Sequence, residues 1–156
     1  MIIIIEGIDG SGKTTLANQL SKQTGYPIVC RKQPKDADEK VRMMGEYLQF
    51  IKSNKNVILD RCWYSEMVYG PVMRDASVIS YPQMYDLEQL LAKNGALLIY
   101  CTGPEAALWQ RCQKRGEDYI TSRDDYKAIY NGYKELIDGV PHIIPVVKYE
   151  CPYYAY

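Results

Sequence analysis

The eight residues Gly7–Thr14, G-I-D-G-S-G-K-T, constrain this chain more than any other feature. They follow a β-branched run, Ile2–Ile5, that reads as a buried strand. They lead into Lys13–Gln23, which reads as a helix ended by Gly25. A strand, a G-x-x-x-x-G-K-[ST] turn and a helix form the setting in which this spacing binds phosphate. Gly7, Gly10 and Gly12 let the backbone wrap an anion with its N–H groups pointing inward. The helix N-terminus adds partial positive charge. Ser11 and Thr15 belong to the same loop, and Lys13 is expected to reach the β- and γ-phosphates of ATP. The Thr14 hydroxyl is expected to ligate Mg²⁺. A chance match in a chain of this length is on the order of one in two hundred, and its place after a strand lowers that further.

The other apolar runs alternate with helical patterns. Pro27–Arg31, Val57–Leu59, Ala96–Cys101 and Ile143–Val147 read as strands. Asp38–Lys52 carries Val41, Met44, Leu48 and Ile51 at spacings of three and four, an amphipathic helix. Gln83–Lys93 reads as a helix, and Pro104 opens another through Arg115 to Gly116. Ser122 with Asp125 three residues on resembles a cap before Tyr126–Ile137. Short continuous strands separated by helices indicate a parallel α/β sheet covered on both faces. In such sheets ligands sit beyond the C-terminal strand ends, where the motifs fall. The 156 residues fit one domain.

Composition excludes several classes. Nineteen basic and nineteen acidic residues cancel, so no global charge calls for a polyanion; a small nucleotide is favoured over DNA, which stays open. Five scattered cysteines form no C-x-x-C or zinc spacing and fit a reducing cytoplasm. No run approaches the ~20 apolar residues of a membrane helix, and no signal peptide is apparent. Fifteen Tyr against one Phe is unusual, and Tyr149, Tyr153, Tyr154 and Tyr156 crowd one end. His142 lies far from every motif and is expected to be structural or at the surface.

Asp9 puts negative charge inside a loop that binds phosphate. It is either a turn-forming acid facing solvent or an acid aimed at the acceptor's hydroxyl or sugar. At the end of the third strand, Asp60 can hold Mg²⁺ through water with Thr14, and Arg61 can clamp an acceptor phosphate bidentately. A surface ion pair is the simpler reading of that dipeptide alone.

The stretch Glu6–Thr15, E-G-I-D-G-S-G-K-T-T, resembles the phosphate loop of the thymidylate kinase family, in which an acid in the loop is typical. Asp60–Gly70, D-R-C-W-Y-S-E-M-V-Y-G, resembles that family's D-R-Y-x-x-S-x-x-A-Y-Q, with Asp60, Arg61, Ser65 and Tyr69 matching. Pro104–Asp118 resembles its P-E-x-A-L-x-R-x-x-x-R-G helix and lid, with Arg111 and Arg115 among the matches. The resemblance implies a three-layer P-loop kinase fold with sheet order 2-3-1-4-5 and transfer of the ATP γ-phosphoryl group. It implies that Asp9 meets the acceptor sugar, Asp60 lies by Mg²⁺, Arg61 holds the acceptor phosphate, and Arg111 and Arg115 come over the transferring group from a lid around 111–121. A solvated helix face is the alternative for those two arginines. Family members are often homodimers.

The chain departs from the family where the acceptor base would be read. Arg31 to Val57 leaves room for one substantial helix where the family has two. Phe50, a stacking candidate, is more simply core, and the family's Gln is Gly70. Arg31, Lys32, Lys35 and Arg74 are candidate acceptor contacts against a default of solvated surface. The reading is a more open pocket and a deoxypyrimidine nucleotide acceptor, dTMP or a 5-substituted dUMP such as 5-hydroxymethyl-dUMP. A virus-encoded enzyme is one source of such trimming. The alternatives are a kinase acting on a modified base or end in DNA, a nucleoside kinase, and a nucleotide-binding protein without transferase activity.

Overall fold

The structure is a computed structural model that describes residues 1–30, 37–53, 55–74, 76–77, 79–116, 119–120 and 122–152. Five strands, β1 (Ile2–Glu6), β2 (Ile28–Cys30), β3 (Val57–Asp60), β4 (Ala96–Thr102) and β5 (Val146–Glu150), form one parallel sheet in the order β2-β3-β1-β4-β5. The strand order and parallel sense are those expected from the sequence. β1 is central: Ile2–Ile5 pair with Val57–Asp60 on one side, and Ile2–Glu6 with Ala96–Tyr100 on the other.

Alternation along β1 explains why an unbroken isoleucine run is needed. Ile2 and Ile4 point into one core with Val57, Leu59, Leu98 and Tyr100. Ile3 and Ile5 point into a second with Ile58, Ile99 and Cys101. Successive strand side chains face opposite ways, so a strand covered on both faces must be apolar throughout. The second core is closed by Leu16 and Ala17 of helix α1 (Lys13–Thr24). The first is closed by α2 (Ala37–Lys52), α3 (Trp63–Met73), α4 (Tyr81–Asn94), α5 (Glu105–Lys114) and α6 (Arg123–Asp138).

Several elements differ from the sequence reading. Helix α3 was not anticipated as a helix: Trp63, Tyr64, Ser65, Glu66, Val68, Tyr69 and Gly70 are all buried, so no polar stripe marks a helical period, and Pro71 sits inside it. Helix α4 starts two residues earlier, at a reciprocal cap: the Ser80 N–H donates to Gln83 Oε1 at 2.9 Å and the Gln83 N–H to Ser80 Oγ at 3.3 Å. β5 begins at Val146 rather than Ile143, because the Pro145 carbonyl accepts the Leu98 N–H at 3.0 Å while Pro145 has no N–H of its own to pair. Pro104 is the residue before α5 rather than its first, a shift of one position. Ser122 caps α6 as expected, its hydroxyl accepting the Asp125 N–H at 3.3 Å.

Candidate nucleotide site

Gly7 leaves β1 against β4. A Cβ there would lie 2.3 Å from the Cys101 carbonyl oxygen, so only glycine lets the loop turn at this point. Gly12 precedes α1 in the left-handed region at φ 87°, which releases the first helical N–H groups into the loop. Lys13 is buried and folds over the loop, its Nζ donating to the Ile8 carbonyl at 2.9 Å and toward Ser11 Oγ at 3.4 Å. Burial and then the positive Arg61 push its pKa down to about 8, against the pull of Asp9 and Asp60. Phosphate oxygens at this spot would oppose that shift. Beside it, Thr14 Oγ1 donates to Asp60 Oδ2 at 3.2 Å, which brings the two metal-ligand candidates together. Two hard oxygens, one of them on a 5% exposed carboxylate, suit Mg²⁺, which keeps water and phosphate for its remaining positions. Thr15 lies exposed in the first turn of α1.

Arg61 is the first residue beyond β3. Its N–H bonds the Ile5 carbonyl at 3.0 Å, and its φ is +73°. A non-glycine residue there costs on the order of 1–3 kcal/mol, and such strain concentrates at functional sites. The guanidinium pairs with Asp9 Oδ1. It also donates to Ser65 Oγ at 3.2 Å, the Tyr133 hydroxyl at 3.3 Å and the Tyr69 hydroxyl at 3.4 Å. Its carbon lies 5.1 Å from the centre of the Tyr69 ring. Asp9 and Arg61 keep 18% and 17% of their side-chain surface open, so the pair is reachable by a ligand.

Glu6, at the end of β1, fixes this arrangement and was not singled out from the sequence. It is fully buried. Its Oε1 accepts the N–H groups of Cys62 at 2.8 Å and Ser65 at 3.1 Å, capping α3 from another element. Its Oε2 accepts the hydroxyls of Ser65 at 2.7 Å and Tyr133 at 3.0 Å. Those two hydroxyls also receive Arg61. Helix α6 also supplies Tyr126, whose hydroxyl donates to the Asp9 carbonyl at 2.7 Å and ties down the loop. Tyr126, Ile129 and Tyr133 are all buried, at the three-and-four spacing of one helix face, which was the available signal for this contribution.

The two arginines of α5 part company. Arg111 is 6% exposed and donates to the Gly10 carbonyl at 3.4 Å and the Pro152 carbonyl at 3.1 Å, behind the loop. Arg115 is the exposed C-terminal cap of α5. Arg74 caps α3, pairs with Glu66, and donates to the Tyr119 hydroxyl at 3.1 Å. Tyr119 in turn lies 6.1 Å, ring to ring, from Tyr69. A Cβ at Gly70 would lie 2.7 Å from the Ala76 carbonyl and 3.0 Å from Ser77 Cα. This corrects the expectation of an open pocket at that point: the glycine admits the chain itself. Phe50 is half-buried at a shallow surface hollow with Glu46, Gln49, Ser53 and Lys55, none of them in the cluster above. Arg31, Lys32, Lys35, the Tyr153–Tyr156 stretch and, within the expected lid, Glu117, Asp118 and Thr121 lie outside the described residues.

The sheet order, the glycine loop and the Asp60–Arg61 strand end define a P-loop kinase fold. YorR, an SPbeta prophage-derived uncharacterized protein of Bacillus subtilis, is 30% identical over 138 residues, which cover 88% of this chain and 82% of YorR. The chain belongs to the same family as YorR. The crystal structure of YorR in complex with phosphorylated GDP superposes with a TM-score of 0.79 at 25% identity, covering 96% of this chain and 85% of that one. A probable thymidylate kinase of Archaeoglobus fulgidus is 28% identical over 177 aligned positions, spanning 95% of this chain and 88% of the relative. Deoxyadenosine kinase from M. mycoides, solved with dCMP and dCDP, shares the fold with a TM-score of 0.67 at 18% identity over 99% of this chain and 93% of that one. No family model matches the chain. Among the described residues no helix is long and apolar enough to cross a membrane.

Proposed function

We propose that this protein is an ATP-dependent nucleoside monophosphate kinase working as one kinase domain. The observation that carries this reading is the junction of two charge systems at the C-terminal ends of β1 and β3. Lys13, Thr14 and Asp60 stand on one side, and Asp9 and Arg61 on the other. A nucleotide-binding protein without transfer activity has no need of the second system.

In this reading the loop N–H groups and Lys13 hold the β- and γ-phosphates of ATP. Thr14 and Asp60 would hold Mg²⁺, which supplies charge neutralisation between the phosphates. Arg61 turns its fork from Asp9 toward the acceptor phosphate. Asp9, released or shared, orients the acceptor sugar. An oxygen of the acceptor phosphate then bonds the γ-phosphorus as the bond to the β,γ-bridging oxygen breaks, leaving ADP. Little covalent chemistry is asked of the protein; positioning and cationic charge do the work. Arg111, beside Gly10 and Pro152, stands at the donor side of the loop, and Arg115 is left as the candidate that reaches over from the exposed end of α5.

The resemblance to thymidylate kinases speaks for dTMP or a 5-substituted dUMP as acceptor. YorR with phosphorylated GDP, and deoxyadenosine kinase with dCMP, show that the fold accommodates other bases. The test is ADP release with a panel of deoxynucleoside monophosphates, deoxynucleosides and single-stranded DNA. Acceptor-dependent ADP with monophosphates is the expected result. Phosphate on polymer or on free nucleosides alone would replace this reading, and no ADP with any acceptor would end it.

A further inference from the structure

Loop N–H groups meet a phosphate only when something aims them. The Asp9–Gly10 peptide is held at both ends. The Asp9 carbonyl accepts the Tyr126 hydroxyl of α6 at 2.7 Å. Gly10 is buried against α5, where a Cβ would lie 2.6 Å from the Leu108 carbonyl oxygen and 3.2 Å from the Cys112 nitrogen. The C=O and N–H of a trans peptide point in opposite directions. With its carbonyl turned to α6, this peptide turns the Gly10 N–H away from α6. Among the described residues no acceptor takes that N–H. Buried N–H groups without an acceptor are rare, and inside a glycine-rich loop such a group marks a place for an anion.

A stack of side chains seats the Tyr126 ring. Trp109 of α5 meets it edge to face, with 4.9 Å between ring centres. The Arg123 guanidinium lies 5.2 Å from the centre of the Trp109 ring and donates to Glu105 Oε2 at 2.6 Å. Arg123 is the first residue of α6 and Glu105 the first of α5, so the pair joins the starts of the two helices that flank the loop. An exposed ion pair alone contributes little, but this one is laid over the ring that seats Tyr126. Arg123, Tyr126, Tyr130 and Tyr133 follow one another at spacings of three, four and three, on one face of α6. Each grips chain at or just beyond the C-terminal end of β1 or β4: Glu105, the Asp9 carbonyl, the Gly103 carbonyl at 2.8 Å, and Glu6.

We propose, building on the monophosphate kinase reading, that Tyr126 is a positioning residue for the donor phosphates. Its hydroxyl locks the Asp9–Gly10 peptide with the Gly10 N–H toward the anion, and the stack of Trp109, Arg123 and Glu105 holds the hydroxyl in place. The lock is needed because Gly10, at φ 88°, belongs to the one residue type that adopts either sign of φ with similar ease. A freed peptide can turn over. It then offers the phosphates the Asp9 carbonyl oxygen instead of an N–H, a repulsive contact in place of an attractive one. Tyr126 does this without touching the nucleotide, and a phenylalanine, equal in ring and burial, does not.

The experiment compares wild type with Tyr126→Phe and Arg123→Lys. Calorimetry measures affinity for MgADP and for tripolyphosphate, which carries neither base nor sugar, and steady-state rates give KM for ATP and for the acceptor. In Tyr126→Phe both affinities are expected to fall about ten-fold, with KM for ATP rising in step. KM for the acceptor is expected to stay within about two-fold. Arg123→Lys keeps the charge but loses the planar stack on Trp109, and is expected to lose about three-fold in the same two affinities. Unaltered affinities in Tyr126→Phe, whatever its Tm, overturn the proposal and leave the hydroxyl a structural tie. Equal losses toward ATP and acceptor overturn it as well, being the mark of a general distortion. Should Tyr126→Phe fail to fold, Arg123→Lys decides by the same two affinities: a loss sustains the proposal and no change overturns it. Should wild type release no ADP with any acceptor, the kinase reading falls while the two affinities still judge Tyr126. A wild type that binds neither probe overturns both.

Discussion

Around Lys13, the groups proposed to meet phosphate are backbone N–H groups, one ammonium and one hydroxyl from a single continuous stretch. Around Arg61, the guanidinium is held by side chains of Asp9, Ser65, Tyr69 and Tyr133, with Glu6 accepting from Ser65 and Tyr133 behind them, brought together by β1, the loop, α3 and α6. The first region is a backbone shape with glycine as its enabling residue. The second is a hydrogen-bonded network whose members depend on one another. A backbone shape is tolerant of most side-chain change but intolerant of a Cβ. A network fails by losing any member that leaves a buried partner unsatisfied.

The largest effects are expected on the backbone side. Lys13→Ala should lower turnover by about a thousand-fold or more and weaken ATP binding, measured by ADP release and calorimetry. Gly7→Ala should do comparable harm to ATP affinity, because its Cβ would press on the Cys101 carbonyl at 2.3 Å. If Gly7→Ala binds ATP normally, the loop is not the shape-determined element described here.

Next come the network's charged members. Asp9→Ala and Arg61→Lys are expected to cut kcat/KM for the acceptor about a hundred-fold while leaving ATP affinity within about two-fold. Arg61→Lys keeps the charge but loses the fork, so it separates geometry from charge. Unchanged turnover in Asp9→Ala would remove that residue from the acceptor side. Glu6→Gln keeps the shape but puts a donor where two hydroxyls donate. A loss of about 2 kcal/mol in urea unfolding is expected, together with a lower kcat through a misplaced Arg61. A stability loss with unaltered kcat would make Glu6 a structural residue only.

These two regions also explain what could be read from sequence. The loop is legible because its chemistry is local: Gly7 to Thr14 carries the spacing, and strand and helix flank it. The order of the sheet was legible through the family resemblance, and the pairing of Asp60 with Thr14 through the strand end and the loop. The network was legible only where it passed through a motif, at Asp9, Arg61, Ser65 and Tyr69. Glu6 sits in a strand whose apolar run hides it, and Tyr133 lies 127 residues away in a helix whose spacing marks a buried face but not what that face meets. Helix α3 was hidden by its own burial. Gly70 misled in the opposite sense, since a missing side chain reads as space until the backbone that fills it is seen.

A smaller effect sharpens the electrostatic side of the comparison. Lys13 has its pKa lowered to about 8 by burial and Arg61. Between that value and its unperturbed 10.5, the folded protein without nucleotide binds fewer protons than the unfolded chain, so this residue's contribution to stability rises with pH there. Phosphates against Lys13 raise the pKa again. ATP binding should therefore take up a fraction of a proton at pH 8.5, seen as a buffer-dependent binding enthalpy, and ATP affinity should decline as pH rises past 8. Lys13→Arg should abolish the uptake. No buffer dependence in wild type would mean that Lys13 does not face the phosphates.

The smallest effect on activity is expected far from both regions, at His142. It is almost wholly buried, with Nδ1 at 2.8 Å from Glu88 Oε1 and Nε2 donating to the Leu136 carbonyl at 2.7 Å. Burial pulls its pKa down, but the hydrogen bonds to Glu88 and Leu136 outweigh that, and it lies above the ordinary 6.5. The folded state thus holds this proton more tightly than the unfolded chain. Its contribution to stability is complete below pH 6.5 and is lost as pH rises through the elevated value. The site joins α4 to the C-terminal end of α6, the helix that carries Tyr126 and Tyr133 into the nucleotide site. His142→Asn is expected to lose about 1–2 kcal/mol at pH 6, less at pH 9, with kcat unchanged at temperatures well below Tm. A fall in kcat without unfolding would show that α6 transmits strain from its far end to Arg61, and the network would then extend the length of that helix.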